Sequence, residues 1–330
     1  MYGIKTRLCL SVLFALTLIS PAWAQTFDFG EIKSPILFQG NYKYAYRDPA
    51  VVYHEGKFHL YFTLVEKAKD KGMYWYTAQS VSEDLVHWTY PKIITPCDRN
   101  LNYSSPGNIV RKDGQWIMCL QTYPTPNKER FGNKDSRVWI MRSEDLENWS
   151  EPELLKVKGN DVVVEDMGRM IDPYLLEDAD EPGKWWCYYK QNGVSMSYSY
   201  DLKNWTYAGN AHSGENVTVI RQNGEYVLLH SPRNGIGVKR SKTPQEWGED
   251  EALLTLGQKD WPWAKRRLTA ATVVDLTKEK RFGKYIMFFH GSPVNPKNPR
   301  SDAHNKASLA IAWSDDLKTW TWPGKNSQPK

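Results

Sequence analysis

The sequence is short of cysteine, has a single long apolar run and carries no strong excess of either charge. Only 4 cysteines occur in 330 residues. Cys9 falls in the N-terminal apolar run, so the rest of the chain has Cys97, Cys119 and Cys187. Three thiols allow at most one bridge, which excludes a disulfide framework. Cys119 and Cys187 lie inside apolar runs, Gln115-Trp-Ile-Met-Cys-Leu and Trp185-Trp-Cys-Tyr-Tyr, where a buried free thiol is expected. Cysteines and histidines never cluster at the short spacing a zinc site needs. Lys+Arg number 43 against 38 Asp+Glu, and no basic run stands out, so nucleic acid is not an expected partner. Helical periodicity is scarce throughout.

The one long apolar run is N-terminal. Lys5 and Arg7 precede Leu8 to Ile19, and Pro21 leads into Ala22-Trp23-Ala24, a small-x-small cleavage signal. Residues 1–24 therefore read as a signal peptide and 25–330 as one domain, secreted or periplasmic. The run is too short to cross a bilayer comfortably, so membrane insertion is not expected. What is abundant is aromatic: 15 Trp and 19 Tyr. Both are good strand formers, and both suit surfaces that must be flat, apolar and wet.

An internal repeat organises the domain. Ser82-Glu-Asp-Leu-Val-His-Trp88 recurs as Ser143-Glu-Asp-Leu-Glu-Asn-Trp149, Ser199-Tyr-Asp-Leu-Lys-Asn-Trp205 and Ser314-Asp-Asp-Leu-Lys-Thr-Trp320. A divergent copy, Ser241-Lys-Thr-Pro-Gln-Glu-Trp247, lies between the last two. The motif reads as a tight turn in which Ser and Asp bond nearby backbone amides. Ahead of each copy stands a hairpin. Glu55-Gly56, Asp113-Gly114 and Asn223-Gly224 sit between β-branched or aromatic runs, and longer turns ending at Gly183 and Gly283 replace them in the third and fifth units. Five such units predict an all-β, five-bladed β-propeller. Two polar insertions, 247–268 and 300–306, are expected as rim loops.

In a propeller the innermost strand of every blade faces the central axis. Aligned on their hairpins, the five units put Asp48, Ser105-Pro106, Asp172, Glu215 and Ala270-Ala271 at matching strand starts. Three acids converging on one axis repel one another, which raises some pKa values and equips a carboxyl group to give up a proton near neutral pH. Asp48 and Asp172 each precede a proline and could instead be turn openers.

Tyr46-Arg-Asp-Pro-Ala, Met170-Ile-Asp-Pro-Tyr and Gly214-Glu-Asn resemble the blade-one, blade-three and blade-four motifs of glycoside hydrolase family 43 and related five-bladed propeller glycosidases. The resemblance spans the whole mature chain. It implies an inverting glycosidase with Asp48 as general base, Asp172 as pKa modulator and Glu215 as general acid, two of them placed to leave room for water. It implies an oligosaccharide or polysaccharide substrate, with arabinofuranosides or xylosides first. No cofactor is required, although a structural calcium near the propeller axis is implied, with His290 as its candidate neighbour. Arg47 and Arg169 are candidate sugar-binding residues, as are Trp261 and Trp263, which could instead pin their insertion to the blade. The sequence departs from the family at Asn216-Val217 after the acid and at Ser104-Ser-Pro-Gly in blade two. The retaining fructan-cleaving relatives are less similar, because their Asn-Asp-Pro-Asn and Glu-Cys motifs are missing. A non-catalytic sugar-binding propeller and a glycoside phosphorylase are the alternatives.

Overall fold

The computed structural model describes residues 26–325; the expected leader, 1–24, lies outside the described residues. Sheets dominate, with only short 3-10 turns between them. Blade one is Tyr44–His54, Lys57–Lys67, Met73–Ser82 and Lys92–Ile93, and blade two is Ile109–Lys112, Gln115–Gln121, Val138–Ser143 and Glu153–Leu154. Blade three is Ile171–Glu177, Trp185–Lys190, Val194–Ser199 and Thr206–Ala211, and blade four is Glu215–Gln222, Glu225–Ser231, Ile236–Ser241 and Ala252–Leu254. Each of these four sheets is antiparallel and runs from axis to rim in chain order. The five-bladed propeller read from the repeat is the observed fold.

Blade five is built differently. Arg267–Asp275, Tyr285–Ser292 and Ser308–Ser314 are joined on the far edge of Ser308–Ser314 by Ile36–Phe38, and Trp320–Thr321 also pairs with that strand. Both ends of the described chain thus meet in one sheet, which closes the ring and covers an edge that would otherwise be open to pairing.

The hairpins follow their sequences. At Glu55-Gly56, Asp113-Gly114 and Asn223-Gly224 both turn residues have positive φ, 47° and 81° in the first, the geometry that matches strand twist in a two-residue loop. The repeated motif is the expected turn. Ser82 Oγ accepts from the amides of Asp84 (3.2 Å) and Leu85 (2.9 Å), and Asp84 Oδ1 accepts from Val86 (3.0 Å) and His87 (2.7 Å). Leu85, Leu146, Leu202 and Leu317 take the same left-handed conformation, φ 59–65°, and are all buried. A tyrosine of one blade ties to the next blade's turn: Tyr61 OH donates to Leu146 O and Tyr188 OH to Pro244 O, both at 2.6 Å.

The core lies between blades. Phe58, Leu60 and Phe62 of blade one pack on Ile286, Phe288 and Ile311 of blade five, and Tyr61 with Ala50 meets Trp116 and Met118 of blade two. The second strands, covered on both faces, are mostly apolar; Tyr285–Ser292 is buried at all 8 positions. Burying an aromatic such as Trp186, Tyr61 or Tyr188 removes roughly 150–250 Å² from water, about 4–6 kcal/mol each. Cys119 and Cys187 are buried and unpaired, and burial pushes the Cys119 thiol up to about 12.

Candidate active site

Every innermost strand opens on the same irregularity. Pairing with the second strand skips between Arg47 and Ala50, Ile171 and Tyr174, Glu215 and Thr218, and Thr269 and Thr272. In blade two an isolated Ser104–Gln121 bridge precedes the strand in the same way. The residue that bulges out has positive φ in all five blades: Asp48 (47°), Ser105 (47°), Asp172 (51°), Asn216 (51°) and Ala270 (54°). Asp and Asn tolerate this conformation; Ser and Ala do so at some strain. Since Ala270 shares it, the bend belongs to the architecture and not to catalysis. It turns five side chains onto a narrow axial pit.

This ring corrects one expectation. The fourth member is Asn216, not Glu215. Glu215 stands one residue earlier, in register with Arg47, Ile171 and Thr269, and its cross-strand partner is Ser231. The skip is common to the blades, and counted from the turns Asn216 stands before Asn223 as Asp48 stands before Glu55, seven residues in each; aligning the acids on one another hides this.

The bulged amides also join the blades. Asp48 N–H donates to His290 Nδ1 (3.1 Å), Ser105 N–H to Thr63 Oγ1 (2.7 Å), Asp172 N–H to Gln121 Oε1 (2.7 Å) and Ala270 N–H to Ser231 Oγ (2.7 Å). Each acceptor comes from the second strand of the preceding blade, opposite the residue before that blade's own bulge. The fifth member of that set is Lys190, opposite Ile171.

Despite the offset, Asp48, Asp172 and Glu215 all line one recess of about 210 Å³ beside the axis. Their surroundings differ. Asp48 is buried, with Arg47 Nη2 3.8 Å and His290 Nδ1 3.7 Å from Oδ1; its carboxylate accepts no hydrogen bond from the described residues. Asp172 is also buried and accepts from Ser105 Oγ at 2.8 Å. Burial, then the charges of Glu215 and Asp48, raise it to about 7 against the opposing pull of Ser105 and Arg47. Glu215 is half-buried, with Oε1 held by Arg267 Nη2 in an ion pair. Behind it, Gly214 N–H donates to His230 Nδ1 (2.9 Å), whose Nε2 meets Asp250 (2.8 Å), itself paired with the buried Lys239 (2.9 Å). A side chain at position 214 would collide with Ser231 O, 1.9 Å from an ideal Cβ. Glycine lets the strand come that close and sets where Glu215 begins.

Arg47 and Arg169 both line the recess, Arg47 over the Trp75 ring (5.1 Å) and Arg169 over Tyr123 (5.7 Å). Trp261 and Trp263 do not. They stack on each other at 5.0 Å and on Phe289, inside the core shared by blades four and five. Their stacking holds the segment between Ala252–Leu254, which is blade four's outer strand and not a loop, and Arg267–Asp275 against the core, and neither tryptophan lines the recess.

His290 does not suit a metal. An amide N–H can only donate, so the Nδ1 that accepts from Asp48 is unprotonated and the proton of the neutral ring sits on Nε2. Burial holds the ring neutral, well below the usual histidine range, and neither nitrogen keeps a lone pair for a cation. Among the described residues no group of three or more His, Cys, Asp or Glu is placed to hold a metal ion. His290 anchors the Asp48 backbone.

Several lining residues carried no signal in the sequence. Trp75, Gln121, Tyr123, Phe131, Lys190, Arg267 and His304 all border the recess, brought there by blades one, two, three and five. His304 bonds Asp302 through Nδ1 (3.1 Å). Burial and the Arg47 charge lower His304 to about 4, so the ring is neutral at pH 7. The sequence shows only the polar stretch at 300–306 that carries it.

A five-bladed propeller with acids from three blades in one axial recess defines a propeller glycoside hydrolase. Residues 39–224, more than half of the chain, match the family described as glycosyl hydrolases family 32 N-terminal domain, and the chain belongs to that family. It is an O-glycosyl hydrolase. Its strand-start motifs resemble family 43, yet it is the family 32 domain, another five-bladed propeller, that matches in sequence. Solved structures agree on the fold. An exo-1,5-α-L-arabinanase from a bovine ruminal metagenomic library is 16% identical, with 84% of this chain and 95% of that chain covered and a TM-score of 0.56. An α-L-arabinofuranosidase from Podospora anserina, solved with cellotriose, is 12% identical over 86% and 96%, TM-score 0.58. A family 43 β-xylosidase/α-arabinofuranosidase from a compost microbial metagenome, solved with xylotriose, is 13% identical over 85% and 94%, TM-score 0.55.

Proposed function

We propose that this enzyme cleaves glycosidic bonds in plant or algal polysaccharide fragments with inversion, outside the cytoplasm. Asp48 acts as general base, Asp172 as pKa modulator and Glu215 as general acid. One observation carries the reading: three carboxyl groups share a recess but not an environment. Asp48 is unbonded at its oxygens and free to take a proton from water. Asp172, raised to about 7, holds a proton over much of the range below neutrality and so limits the negative charge facing the other two. Glu215 is gripped at Oε1 only, leaving Oε2 free to carry the proton that passes to the leaving-group oxygen as the glycosidic bond breaks. Inversion needs the base and acid on opposite sides of the sugar with a water between base and anomeric carbon.

The arabinanase, arabinofuranosidase and xylosidase activities named for the similar structures make aryl α-L-arabinofuranosides and β-D-xylosides the first substrates to try. Asp48→Asn and Glu215→Gln should each lower kcat by about 10²–10⁴-fold. Proton NMR of the first-formed product should show the anomer opposite to that of the substrate. Retained configuration, or full activity in either variant, overturns the assignment.

A further inference from the structure

The recess holds more positive charge than its carboxylates use. Arg267 is paired with Glu215, and Arg47 lies against Asp48 and the Trp75 ring. Arg169 and Lys190 have no carboxylate partner among the described residues. Arg169 donates Nε to Gly132 O (3.2 Å), and its terminal nitrogens donate to nothing described. The Lys190 side chain has no hydrogen bond or ion pair among the described residues, although it borders the recess and is only half-buried. The two stand at one end of blade three: Lys190 is the cross-strand partner of Ile171, and Gln191 Nε2 bonds Arg169 O at 3.2 Å.

The place of Lys190 is informative. In the other four blades that position is Thr63, Gln121, Ser231 or His290, and each accepts the bulged amide of the next blade. An ammonium group has no lone pair and cannot do so. Blade three gives up an inter-blade hydrogen bond and presents a cation to the recess instead. The surplus continues outside. Through Arg267 the recess adjoins a groove lined by Arg233, Lys265, Arg266 and Arg300. The acids of that groove are engaged elsewhere, Asp250 with His230 and Lys239, Asp302 with His304.

We infer that Lys190 and Arg169 form a subsite for an anionic group on the sugar, a uronate carboxylate or a sulfate ester, so that the enzyme acts on acidic glycans. This rests on the glycosidase reading above. A planar carboxylate or a sulfate suits an Arg fork beside a Lys point charge, and the cationic groove suits further anionic units of the same chain. Inorganic phosphate is the rival occupant. It would replace water as the attacking group and leave Asp48 without a proton to accept, whereas Asp48 is held in the recess with unbonded oxygens.

The test has a binding arm and a turnover arm. Calorimetry compares glucuronosyl-xylose with xylobiose, and galactose 6-sulfate with galactose, on the wild type, Lys190→Met and Arg169→Met. The wild type should favour at least one acidic member of these pairs by about tenfold or more, and which pair responds separates carboxylate from sulfate. Either variant should shrink that preference about tenfold. A circular dichroism spectrum matching the wild type establishes that the variant is folded, and Lys190→Arg should restore part of the preference. Turnover on aryl uronides of both anomers against neutral aryl glycosides should show the same ratio in kcat/KM. Equal affinity for charged and neutral members, a preference untouched in both variants, or cleavage that requires added phosphate overturns the inference. Selective acid binding without turnover of any substrate would sink the glycosidase reading and leave the subsite standing.

Discussion

Replacing Asp172 with asparagine should make the protein more stable, and more so as the pH rises. Asp172 is buried and raised from 3.8 to about 7 by loss of water and by the charges of Glu215 and Asp48. A carboxyl group raised on folding binds a proton in the native state that the unfolded chain has released. Native stability is therefore fully present below pH 4 and is lost progressively up to pH 7, then levels off. The gap between those two values, at roughly 1.4 kcal/mol per pH unit, sets an upper bound of ~4 kcal/mol. The substituted amide would have the same shape as the acid, and its Oδ1 could keep the bond from Ser105 Oγ now 2.8 Å long, but it never ionises. The variant should match the wild type within ~1 kcal/mol at pH 4 and exceed it by roughly 2–4 kcal/mol at pH 8. Urea unfolding followed by tryptophan fluorescence, at fixed ionic strength and several pH values, reads the difference directly. An advantage that does not change with pH would mean that Asp172 is not buried as a proton-holding acid. Activity should fall in the same variant, the usual opposition between stability and a strained site.

Three further outcomes follow from the packing and the charges. The kcat/KM of the wild type should decline as pH rises through about 7, where Asp172 loses its proton, and that limb should vanish in Asp172→Asn; a limb that persists assigns it to another group. Trp261→Ala should cost about 3–5 kcal/mol by emptying the core between blades four and five, while KM stays within about twofold of wild type; a large rise in KM would restore the tryptophans as a sugar platform. Leu146→Ala, at a fully buried turn position whose carbonyl receives Tyr61 OH, should lower stability by about 2–5 kcal/mol in the same urea assay, and a change below about 1 kcal/mol would show that the repeated leucine is not a packing anchor.

The blades were legible because their signals are local. A Ser-x-Asp-Leu turn and an Asp-Gly or Asn-Gly hairpin fix their own backbone through bonds two or three residues away, so four residues suffice to announce them. Asp48 and Asp172 were legible for a related reason, since each stands at the head of an apolar strand run. The offset at Glu215 was not, because an acid and an amide stand side by side there and the acid draws the match, although the count from the turn selects Asn216. Lys190, Arg267 and His304 were hidden for a different reason. Each is an ordinary polar residue at a strand end or loop, and it becomes special only where the ring of blades brings that end to the axis. The tryptophans of the insertion misled because stacking on a sugar and stacking on Phe289 draw on the same side chain.

The one-residue offset has an electrostatic consequence. Had Glu215 filled the fourth place in the ring, three acids would face one another across the axial pit at equal depth, and the cost of charging any of them would fall on all. With Asn216 there instead, the pit holds two acids, Asp48 and Asp172, and the third stands toward the mouth, where Arg267 can reach it. The two-carbon arm of glutamate, longer by one methylene than aspartate, brings its carboxyl group back to the recess from that outer position. Asp172 is buried and left between two neighbouring carboxylates, which is why the proton gathers on it. Division of labour among three like groups is thus set by backbone register: the ring position decides which acid is crowded, and the step out of the ring decides which one can be held by an arginine while still facing the bond to be broken.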